Sequence, residues 1–358
     1  MLPSAQEGSE KMDRRFLSFY KGKKVFVTGH NGFKGSWMCR ILADAGADVC
    51  GFSLPCEADS PFGTMGSHSV RSIEGDVGNY DEITNALLNF GPEIVIHMAA
   101  QPLVLESYKD PVGTYRTNVM GTVNVLDAVR KCNSVVSVVN VTTDKVYRNT
   151  ERSIGYREDE VLDGHDPYSN SKSCSELVTA SYKRSFLAGV PVSTCRAGNV
   201  IGGGDRAKDR IIPDCVRSAE HGEPIILRNP GSVRPYQHVL EPVLAYLLLA
   251  AEQTRDRKFE GCYNIGPDEE STVTTQRIAE LFCDNWEGVT WRTPGGIAGP
   301  HEAGLLRLNC DKFKSTFNWR PRWKIDEAVK RTAEWYRAEN DGKDMKKFTT
   351  SQINDYLK

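Results

Sequence analysis

A glycine-rich turn between a strand and a helix restricts this chain more than any other feature of its sequence. Residues 24–28 read as a buried strand, and a helical pattern covers residues 35–45. The turn between them contains Gly29, Gly32 and Gly35 in a G-x-x-G-x-x-G spacing. Glycine permits a tight turn and a close approach of the backbone to a pyrophosphate, and the N-terminus of the following helix attracts that negative charge. The turn therefore predicts dinucleotide binding, with a purely structural glycine turn as the alternative.

Short apolar strands alternate with helices through the first half of the chain. We predict strands at residues 24–28, 48–52, 93–97, 135–141 and 192–197. We predict helices at residues 35–45, 81–90, 112–131, 169–188, 239–253, 275–286 and 326–340. Alternation of this kind is typical of βαβ units and of a parallel sheet that is covered on both faces. The predicted fold class is α/β, with a doubly wound parallel Rossmann sheet and a smaller mixed α/β C-terminal substrate lobe.

The character of the sequence changes after residue 198, which indicates a second lobe. Glycine, proline and charged residues become denser between residues 202 and 235. We predict a loose N-terminal extension over residues 1–22, of which residues 16–20 dock on the body, and a dinucleotide-binding domain over 23–198. The chain is expected to return to that domain at about residues 239–265. The predicted substrate lobe comprises residues 199–238 and 266–358.

Composition and charge disfavour several other classes of protein. The net charge is −2, so the sequence has no electrostatic footprint for nucleic acid or for a membrane surface. The polar N-terminus has no apolar signal segment, and the apolar stretch at residues 243–251 is too short to span a bilayer, so we expect a cytoplasmic protein. The ten cysteines have no metal-ligand spacing. They are expected to be free thiols, and no metal site is predicted.

Two sets of residues are candidates for catalysis. Tyr168 and Lys172 stand four positions apart at the start of a predicted helix, and the ammonium is expected to lower the pKa of the phenol so that it acts as a base. Thr143, Asp144 and Lys145 follow a predicted strand. A plain charge pair between Asp144 and Lys145 in a loop is the alternative to a functional role.

These motifs together resemble the extended short-chain dehydrogenases/reductases of the NAD-dependent epimerase/dehydratase family. The resemblance depends on the glycine turn, on His-Met-Ala-Ala-Gln-Pro at residues 97–102, on Thr-Asp-Lys at 143–145 and on the pair Tyr168 and Lys172. It extends from about residue 23 to near the C-terminus, and includes residues 117–121, 196–205 and 234–242. General sugar 4,6-dehydratases have Thr-Asp-Glu in the loop, whereas Thr-Asp-Lys is similar to the branch that acts on CDP-glucose.

The resemblance implies the dehydration of CDP-glucose to CDP-4-keto-6-deoxyglucose, with NAD as the cofactor, in deoxysugar biosynthesis such as that of lipopolysaccharide O-antigen. Tyr168 would take the proton of the sugar 4-hydroxyl, with Thr143 bonded to that oxygen, while hydride passes from C4 to NAD⁺. Lys145 would remove the C5 proton, Asp144 would protonate the departing 6-hydroxyl, and hydride would return to C6. The alternatives are a nucleotide-sugar 4-epimerase, a 4,6-dehydratase for a different nucleotide sugar, and a cofactor-holding protein without catalysis.

Further residues are expected to bind the cofactor. They are Gly29, Asn31, Gly32, Phe33, Lys34, Gly35, Ser53, Asp76, Val77, Ala99, Ala100, Gln101, Asn118, Tyr168 and Lys172. No acidic residue follows the second strand until Glu57, and no arginine stands there to clamp a 2′-phosphate, so NAD is favoured over NADP. Asp76 is expected to face the adenine, with an exposed loop acid as the alternative.

The resemblance implies that Asn199 contacts the diphosphate of the nucleotide-sugar substrate. Further candidates for a phosphate are Arg210, Arg234 and His301, with a solvated surface charge as the alternative for each. Gln101 is a candidate to orient either the sugar or the nicotinamide ribose. The run of three glycines at residues 202–204 is expected to admit a diphosphate. Arg206 and Tyr236 stand where the family typically has tryptophan, and we expect these changes to affect the preference for base or sugar. The predicted helices 112–131 and 169–188 would form a four-helix bundle in a homodimer.

Overall fold

A seven-stranded parallel sheet forms the centre of the computed structural model, which describes residues 16–56, 60–66, 69–293 and 304–358. Its strands are β1 (Lys24–Thr28), β2 (Asp48–Ser53), β3 (Arg71–Glu74), β4 (Ile94–His97), β5 (Ser137–Val141), β6 (Val192–Ala197) and β10 (Cys262–Ile265). Their spatial order is β10-β6-β5-β4-β1-β2-β3, and each neighbouring pair is parallel. The predicted doubly wound sheet is confirmed.

The apolar strands are buried on both faces, which explains why they read as continuous runs rather than as an alternation. Side chains of β1 alternate between two hydrophobic clusters. Val25 and Val27 belong to the larger cluster, and Phe26 between them belongs to the other. All three side chains are fully buried. Helices therefore have to cover both faces of the sheet.

The helices that cover the sheet and build the second lobe are α1 (Phe33–Asp44), α2 (Pro61–Thr64), α3 (Tyr80–Phe90), α4 (Val104–Lys109), α5 (Pro111–Tyr115), α6 (Gly121–Lys131), α7 (Pro167–Ser185), α8 (Ile211–His221), α9 (Leu240–Arg255), α10 (Thr275–Asp284), α11 (Asp311–Phe317), α12 (Ile325–Asn340) and α13 (Met345–Leu357). The helix predicted over residues 112–131 is confirmed as a continuous helical stretch from α5 to α6. A π-helical turn, Arg116–Met120, lies between them and turns the buried side chain of Asn118 toward α7. Turns of this type are frequent at functional sites.

Two small sheets belong to the second lobe. Their strands are β7 (Asn199–Ile201), β8 (Ile225–Ile226), β9 (Val233–His238), β11 (Thr272–Thr274) and β12 (Trp291–Arg292). β9 lies between β7 and β11, and β12 pairs with β8. The chain enters this lobe directly after β6, and it returns through α9 and β10, which pairs with β6 in the central sheet. The second lobe is therefore attached to the carboxyl end of the parallel strands.

Part of the predicted N-terminal extension packs against the body. Phe16 and Tyr20 are buried in the larger hydrophobic cluster, and the Tyr20 hydroxyl donates to the carbonyl of Leu247 on α9 over 2.6 Å. Burial raises the pKa of that hydroxyl. The docking predicted for residues 16–20 is therefore present. Residues 1–15 lie outside the described residues.

The cysteines and helices also bear on the class of protein. All ten cysteines are free thiols, as predicted, and six of them are buried: Cys39, Cys50, Cys132, Cys195, Cys215 and Cys310. Of the helices that the structure describes, none combines the length and apolarity needed to cross a membrane. Within the same residues, no group of three or more His, Cys, Asp or Glu side chains is arranged to hold a metal ion.

The glycine run at residues 202–204 serves packing, and its predicted approach to a diphosphate stays a prediction. Trp37 on α1 donates its indole N–H to the Gly203 carbonyl over 2.9 Å. A Cβ on Gly203 would lie 2.0 Å from the ring of Trp335 on α12, and a Cβ on Gly204 would lie 2.5 Å from Pro61. Protein side chains therefore occupy the Cβ side of these glycines, which explains why larger residues do not fit there.

We predict that Gly203→Ala destabilises the protein, whereas Gly63→Ala does not. The new methyl group at Gly203 must displace the indole of Trp335, and overpacking of this kind costs about 1–3 kcal/mol. Gly63 lies in α2 with no atom within 4 Å of its Cβ position. The free energy of unfolding from urea titrations checks both. Equal stability of the two variants would contradict this account of the glycine run.

Candidate active site

The turn after β5 carries the first candidate catalytic residues. Thr143 caps a single 3₁₀ turn, Asp144–Val146, through a hydrogen bond from the Lys145 backbone N–H to its Oγ1 over 3.4 Å. The same hydroxyl donates to Oδ1 of Asp144 over 3.0 Å. Thr143 and Asp144 are buried, and Lys145 is half-buried. We call residues 142–147 the catalytic turn, since they hold all three candidates in one short segment.

Asp144 lies in an environment that favours the protonated form of its carboxyl group. Burial raises its pKa, while Lys145, the Thr143 hydroxyl and Arg234 act in the opposite direction. Its Oδ2 is buried and has no hydrogen-bond partner within the described chain. A Cβ on Gly198 would come within 3.1 Å of that oxygen, so glycine at this position leaves room beside the carboxyl group. The arrangement suits a general acid.

Tyr168 and Lys172 lie in the first turns of α7, which Asp166 caps by accepting the Ser169 backbone N–H over 2.9 Å. Burial raises the pKa of Tyr168 to about 12, although hydrogen bonding with Thr143 lowers it. The prediction that Lys172 lowers this pKa below its ordinary value is therefore wrong for the protein alone. Desolvation of the phenolate dominates, and the ammonium of Lys172 donates to the carbonyl of Val141 over 3.2 Å.

Basic groups near Tyr168 and Lys172 affect one another's pKa. The pKa of Lys172 falls to about 7, first because of burial and then because of the positive charge of Lys34, while Glu176 acts in the opposite direction. The pKa of Lys34 falls to about 8 through burial and the charge of Arg210, which Asp144 and Asp205 partly offset. Lys34 was predicted only as a cofactor contact. The structure adds that its charge acts directly on the catalytic lysine.

The glycine turn before α1 fits a dinucleotide. Gly29 has φ +72°, and its Cβ would lie 2.9 Å from the Ala99 backbone nitrogen. A Cβ on Gly35 would lie 2.1 Å from the Gly29 carbonyl oxygen. Gly32, by contrast, is exposed and would meet only the Gly29 oxygen, at 3.5 Å. The first turn of α1 has no acidic residue and no side-chain cap, so its N–H groups are available to a pyrophosphate.

The other predicted cofactor residues of the first three strands lie around this turn. The Asn31 side chain donates to the carbonyl of Leu54 over 2.8 Å, which ties the turn to the end of β2 beside half-buried Ser53. Asp76 pairs with Arg116 over 3.2 Å and is still partly exposed after β3. Val77 is buried against α6, where a Cβ on Gly121 would lie 2.8 Å from it. The contact of Asp76 with an adenine stays a prediction.

Asn118 connects the loop after β4 to α7, the helix that contains Tyr168 and Lys172. Its Oδ1 accepts the Gln101 backbone N–H over 2.8 Å, and its Nδ2 donates to the Gln101 carbonyl over 3.0 Å and to the Ser171 hydroxyl over 2.9 Å. Ala99 and Ala100, which precede Gln101, are half-buried. Asn118 therefore fixes the backbone of the predicted cofactor loop relative to the helix of Tyr168 and Lys172.

The side chain of Gln101 is engaged within its own loop. Its Oε1 accepts the Leu103 backbone N–H over 2.6 Å, and its Nε2 donates to the Thr114 hydroxyl over 2.9 Å. A contact between this side chain and the sugar, which the sequence predicts, would require these hydrogen bonds to be exchanged. The structure favours a role in shaping the loop.

Two of the predicted substrate residues approach the catalytic turn. Arg234 is buried, donates to the carbonyl of Gly304 over 3.3 Å, and lowers the pKa of Asp144. Arg210 pairs with Asp205 over 3.0 Å and lowers the pKa of Tyr168. Asn199 is half-buried at the start of β7. His301 lies outside the described residues.

Arg206 packs on α12, and the expectation that it affects substrate preference stays a prediction. Its guanidinium forms an ion pair with Glu339 and lies over the ring of Tyr336, 5.1 Å from the centroid, both on α12. Tyr236 belongs to the larger hydrophobic cluster, and its hydroxyl lies 3.5 Å from that of Thr275. Both residues contribute to packing between β9, α10 and α12.

Sequence reasoning missed three residues that lie in or beside the catalytic turn, namely Tyr147, Glu176 and Arg196. Glu176 lies one helical turn after Lys172 on α7, and it forms a buried ion pair with Arg196 on β6. Arg196 donates in turn to the hydroxyl of Tyr147 over 2.8 Å. The positions of Tyr168, Lys172 and Glu176, each four residues after the last, were a usable signal for Glu176 because they share one helical face.

Comparison with known proteins defines the class. The model of the NAD dependent epimerase/dehydratase family matches residues 25–266, and the chain belongs to this family. Over 355 residues the chain is 44% identical to a CDP-glucose 4,6-dehydratase of Salmonella typhimurium, covering 95% of this chain and 98% of that protein.

Solved structures agree at the level of the fold. An epimerase of Methanothermobacter thermautotrophicus superposes with a TM-score of 0.82 at 21% identity, covering 94% of this chain and 98% of that one. A dTDP-glucose 4,6-dehydratase of Bacillus anthracis in complex with NAD gives a TM-score of 0.75 at 22% identity, covering 90% of this chain and 99% of that one. The family thus includes both epimerases and dehydratases, and the two activities have to be separated by the chemistry of the site.

We predict that Lys172→Met reduces the dependence of stability on pH. The pKa of Lys172 is about 7 in the folded protein and 10.5 ordinarily, so between these values the unfolded chain binds a proton that the folded protein lacks. The titration of Lys172 therefore makes the wild-type protein less stable as the pH falls from about 10.5 toward 7, and it has no such effect above about pH 10.5. Relative to wild type, Lys172→Met should therefore be more stable at pH 6 than at pH 9.5, measured by urea unfolding. A difference independent of pH would contradict the assignment.

Proposed function

We propose that this protein dehydrates CDP-glucose to CDP-4-keto-6-deoxyglucose with NAD as its cofactor. The observation that carries the proposal is the buried, acid-favouring environment of Asp144 directly beside Thr143 and close to Tyr168. An acid is required only if a hydroxyl group leaves the substrate as water. The likeness to the CDP-glucose 4,6-dehydratase over nearly the whole length of both chains supports the nucleotide and the sugar.

One group of residues binds the cofactor and carries out the oxidation at C4. NAD, when it is bound, accepts a hydride from C4 of the sugar and supplies one to C6. Tyr168 takes the proton of the 4-hydroxyl, and Thr143 holds that oxygen through its own hydroxyl. The hydrogen bond with Thr143 and the positive charge of Arg210 offset part of the desolvation that raises the pKa of Tyr168. Gly29, Gly32 and Gly35 hold the pyrophosphate of the dinucleotide.

The elimination belongs to the residues that follow Thr143. Lys145 removes the C5 proton, which the adjacent 4-ketone acidifies, and Asp144 gives its proton to the departing 6-hydroxyl. Arg234 and Arg210 supply positive charge for the diphosphate, and Asn199 contacts it. One water is lost, and the sugar is neither oxidised nor reduced overall.

An epimerase is the competing activity because family members of both kinds share the tyrosine, the lysine and the threonine. Epimerisation at C4 needs no proton donor at C6. In an epimerase, this buried carboxyl group with a raised pKa would have no catalytic role. It would still destabilise the fold, because its buried polar atom is unpaired. Asp144 therefore favours the dehydratase.

The substrate and the reaction are tested together by product mass. The purified protein is incubated with CDP-glucose, UDP-glucose, dTDP-glucose and GDP-mannose, each with and without added NAD. We expect the loss of one water from CDP-glucose. An unchanged mass with an altered configuration at C4 would move the assignment to epimerase. Water loss from another nucleotide sugar alone would keep the reaction and change the substrate.

The role of Asp144 is tested in the same assay. Asp144→Asn keeps the size of the side chain but cannot donate an acidic proton, and we expect water loss to fall about 100-fold or more. Oxidation at C4 should survive, because Tyr168 and Thr143 are intact. Borodeuteride trapping should then place deuterium at C4 in sugars that still carry the 6-hydroxyl. Normal water loss by this variant would exclude Asp144 as the acid.

We also propose that the protein acts as a homodimer in the cytoplasm, supplying a keto-deoxysugar nucleotide for glycan synthesis such as that of lipopolysaccharide O-antigen. Apolar side chains exposed on the helices from α4 to α7 support the dimer. Their exposed fractions are 77% for Val112, 48% for Met120 and 58% for Leu177. Large apolar groups on neighbouring helices of a water-soluble lobe indicate an interface.

We predict that Leu177→Glu yields monomers, whereas Leu88→Glu does not. Leu177 lies on the outer face of α7, and a buried carboxylate at the centre of a helical interface has no partner. Leu88 is 41% exposed on α3, outside the proposed interface, and serves as the control. Light scattering after size-exclusion chromatography gives the mass of each. A dimer for Leu177→Glu would place the interface elsewhere.

A further inference from the structure

A single buried ion pair holds both ends of the catalytic turn. Glu176 on α7 and Arg196 on β6 are each 2% exposed and form two parallel hydrogen bonds of 2.9 Å. The hydroxyl of Thr142, at the start of the turn, donates to Oε1 of Glu176 over 2.5 Å. The hydroxyl of Tyr147, at the end of the turn, accepts from Nη1 of Arg196 over 2.8 Å. The two residues therefore connect the turn to the helix of Tyr168 and Lys172.

The remaining hydrogen bonds of the pair make its geometry rigid. Nη1 of Arg196 also donates to the Glu158 carbonyl over 2.9 Å, and the hydroxyl of Thr194 donates to Oε2 of Glu176 over 2.7 Å. The hydroxyl of Tyr147 donates a hydrogen bond to Oδ1 of Asn264 over 2.6 Å. Each carboxylate oxygen of Glu176 thus accepts one guanidinium N–H and one hydroxyl. A fork with this many directional bonds fixes angles as well as distances.

We propose that Glu176 and Arg196 are positioning residues for the reaction, which hold Asp144 in register with Tyr168 so that both act on one sugar without rearrangement. This inference rests on the proposed function. Oxidation at C4 uses Tyr168 on α7, whereas the elimination uses Asp144 on the turn. The distance between the two groups depends on how the turn is fastened to the helix. Displacements of about 1 Å at such a site cost up to about 100-fold in rate.

Stability alone gives a poor account of this pair. Apolar residues of similar volume often replace a buried ion pair without loss of stability, because desolvation of both charges offsets their attraction. The turn also has other attachments that secure the fold, such as the hydrogen bond of 2.7 Å from the Ser173 hydroxyl to the Val146 carbonyl. Directional control of the turn is the property that an apolar pair cannot supply.

The test compares two threonines that donate to the same carboxylate. Thr142→Val removes the hydrogen bond between the turn and Glu176, whereas Thr194→Val removes one between β6 and Glu176 and leaves the turn attached. Both side chains are buried, so the two variants should lose similar stability. We expect kcat for water loss from CDP-glucose to fall about tenfold in Thr142→Val, with KM within twofold of wild type, and to change less than twofold in Thr194→Val. Thr142→Ser, which restores the hydroxyl, should recover activity.

Kinetic isotope effects show which step has slowed. Displacement of Asp144 should make the elimination more rate-limiting, so the isotope effect from deuterium at C5 should increase in Thr142→Val and that from deuterium at C4 should decrease. Loss of rate without a change in either isotope effect would overturn the proposal. An equal loss of kcat in Thr142→Val and Thr194→Val would also overturn it.

A double variant separates positioning from folding. Glu176→Leu with Arg196→Met removes both charges together, and we expect a folded protein with kcat reduced about 100-fold. Wild-type activity in the folded double variant would overturn the proposal. If the wild-type protein itself releases no water from any nucleotide sugar, the proposed function fails. If it does, and the variants behave alike, only the positioning role fails.

Discussion

Removal of water from a few charged groups is the constraint on which this site depends. Tyr168, Lys172 and Asp144 are each less than 10% exposed, and in every case burial is the largest influence on the pKa. Desolvation disfavours each charged form, so it favours the protonated carboxyl group of Asp144, the neutral amine of Lys172 and the protonated phenol of Tyr168. The hydrogen bond with Thr143 and the positive charge of Arg210 act in the opposite direction on Tyr168 and favour the phenolate.

The parallel sheet explains why these groups meet. The order of the strands reverses between β1 and β4, and a crevice opens outside the carboxyl ends of strands at such a point. The glycine turn follows β1, the loop with Gln101 follows β4, and the catalytic turn follows β5. The helix with Tyr168 and Lys172 is the next helix after that turn. Since all these segments leave the same edge of the sheet, residues more than a hundred positions apart can share one substrate.

Local sequence patterns were enough to predict the fold and the candidate site residues. The features that they missed depend on contacts between residues that are distant in the sequence. The glycine spacing predicted the turn at Gly29 because the constraint is local. The packing of Trp335 on Gly203 joins residues 132 positions apart in sequence. No local pattern indicated this contact, and the glycine run was interpreted as a ligand site alone. The raised pKa of Tyr168 likewise depends on burial in the folded protein, which its local sequence does not indicate. The ion pair of Arg206 with Glu339 had no local signal at all.

The neighbours Asp144 and Lys145 differ in exposure, and this difference fits the roles of acid and base that we propose for them. The 3₁₀ turn directs the carboxyl group into the protein, where it is 2% exposed, and leaves the lysine half-buried. A general acid benefits from a dry environment because its proton then moves only to the substrate. A base that removes a carbon-bound proton must afterwards release it, and contact with water provides the route. Exchange of the two residues would place the base where its proton is retained and the acid where solvent ionises it. The order Asp-Lys is therefore as important to the elimination as the residue types themselves.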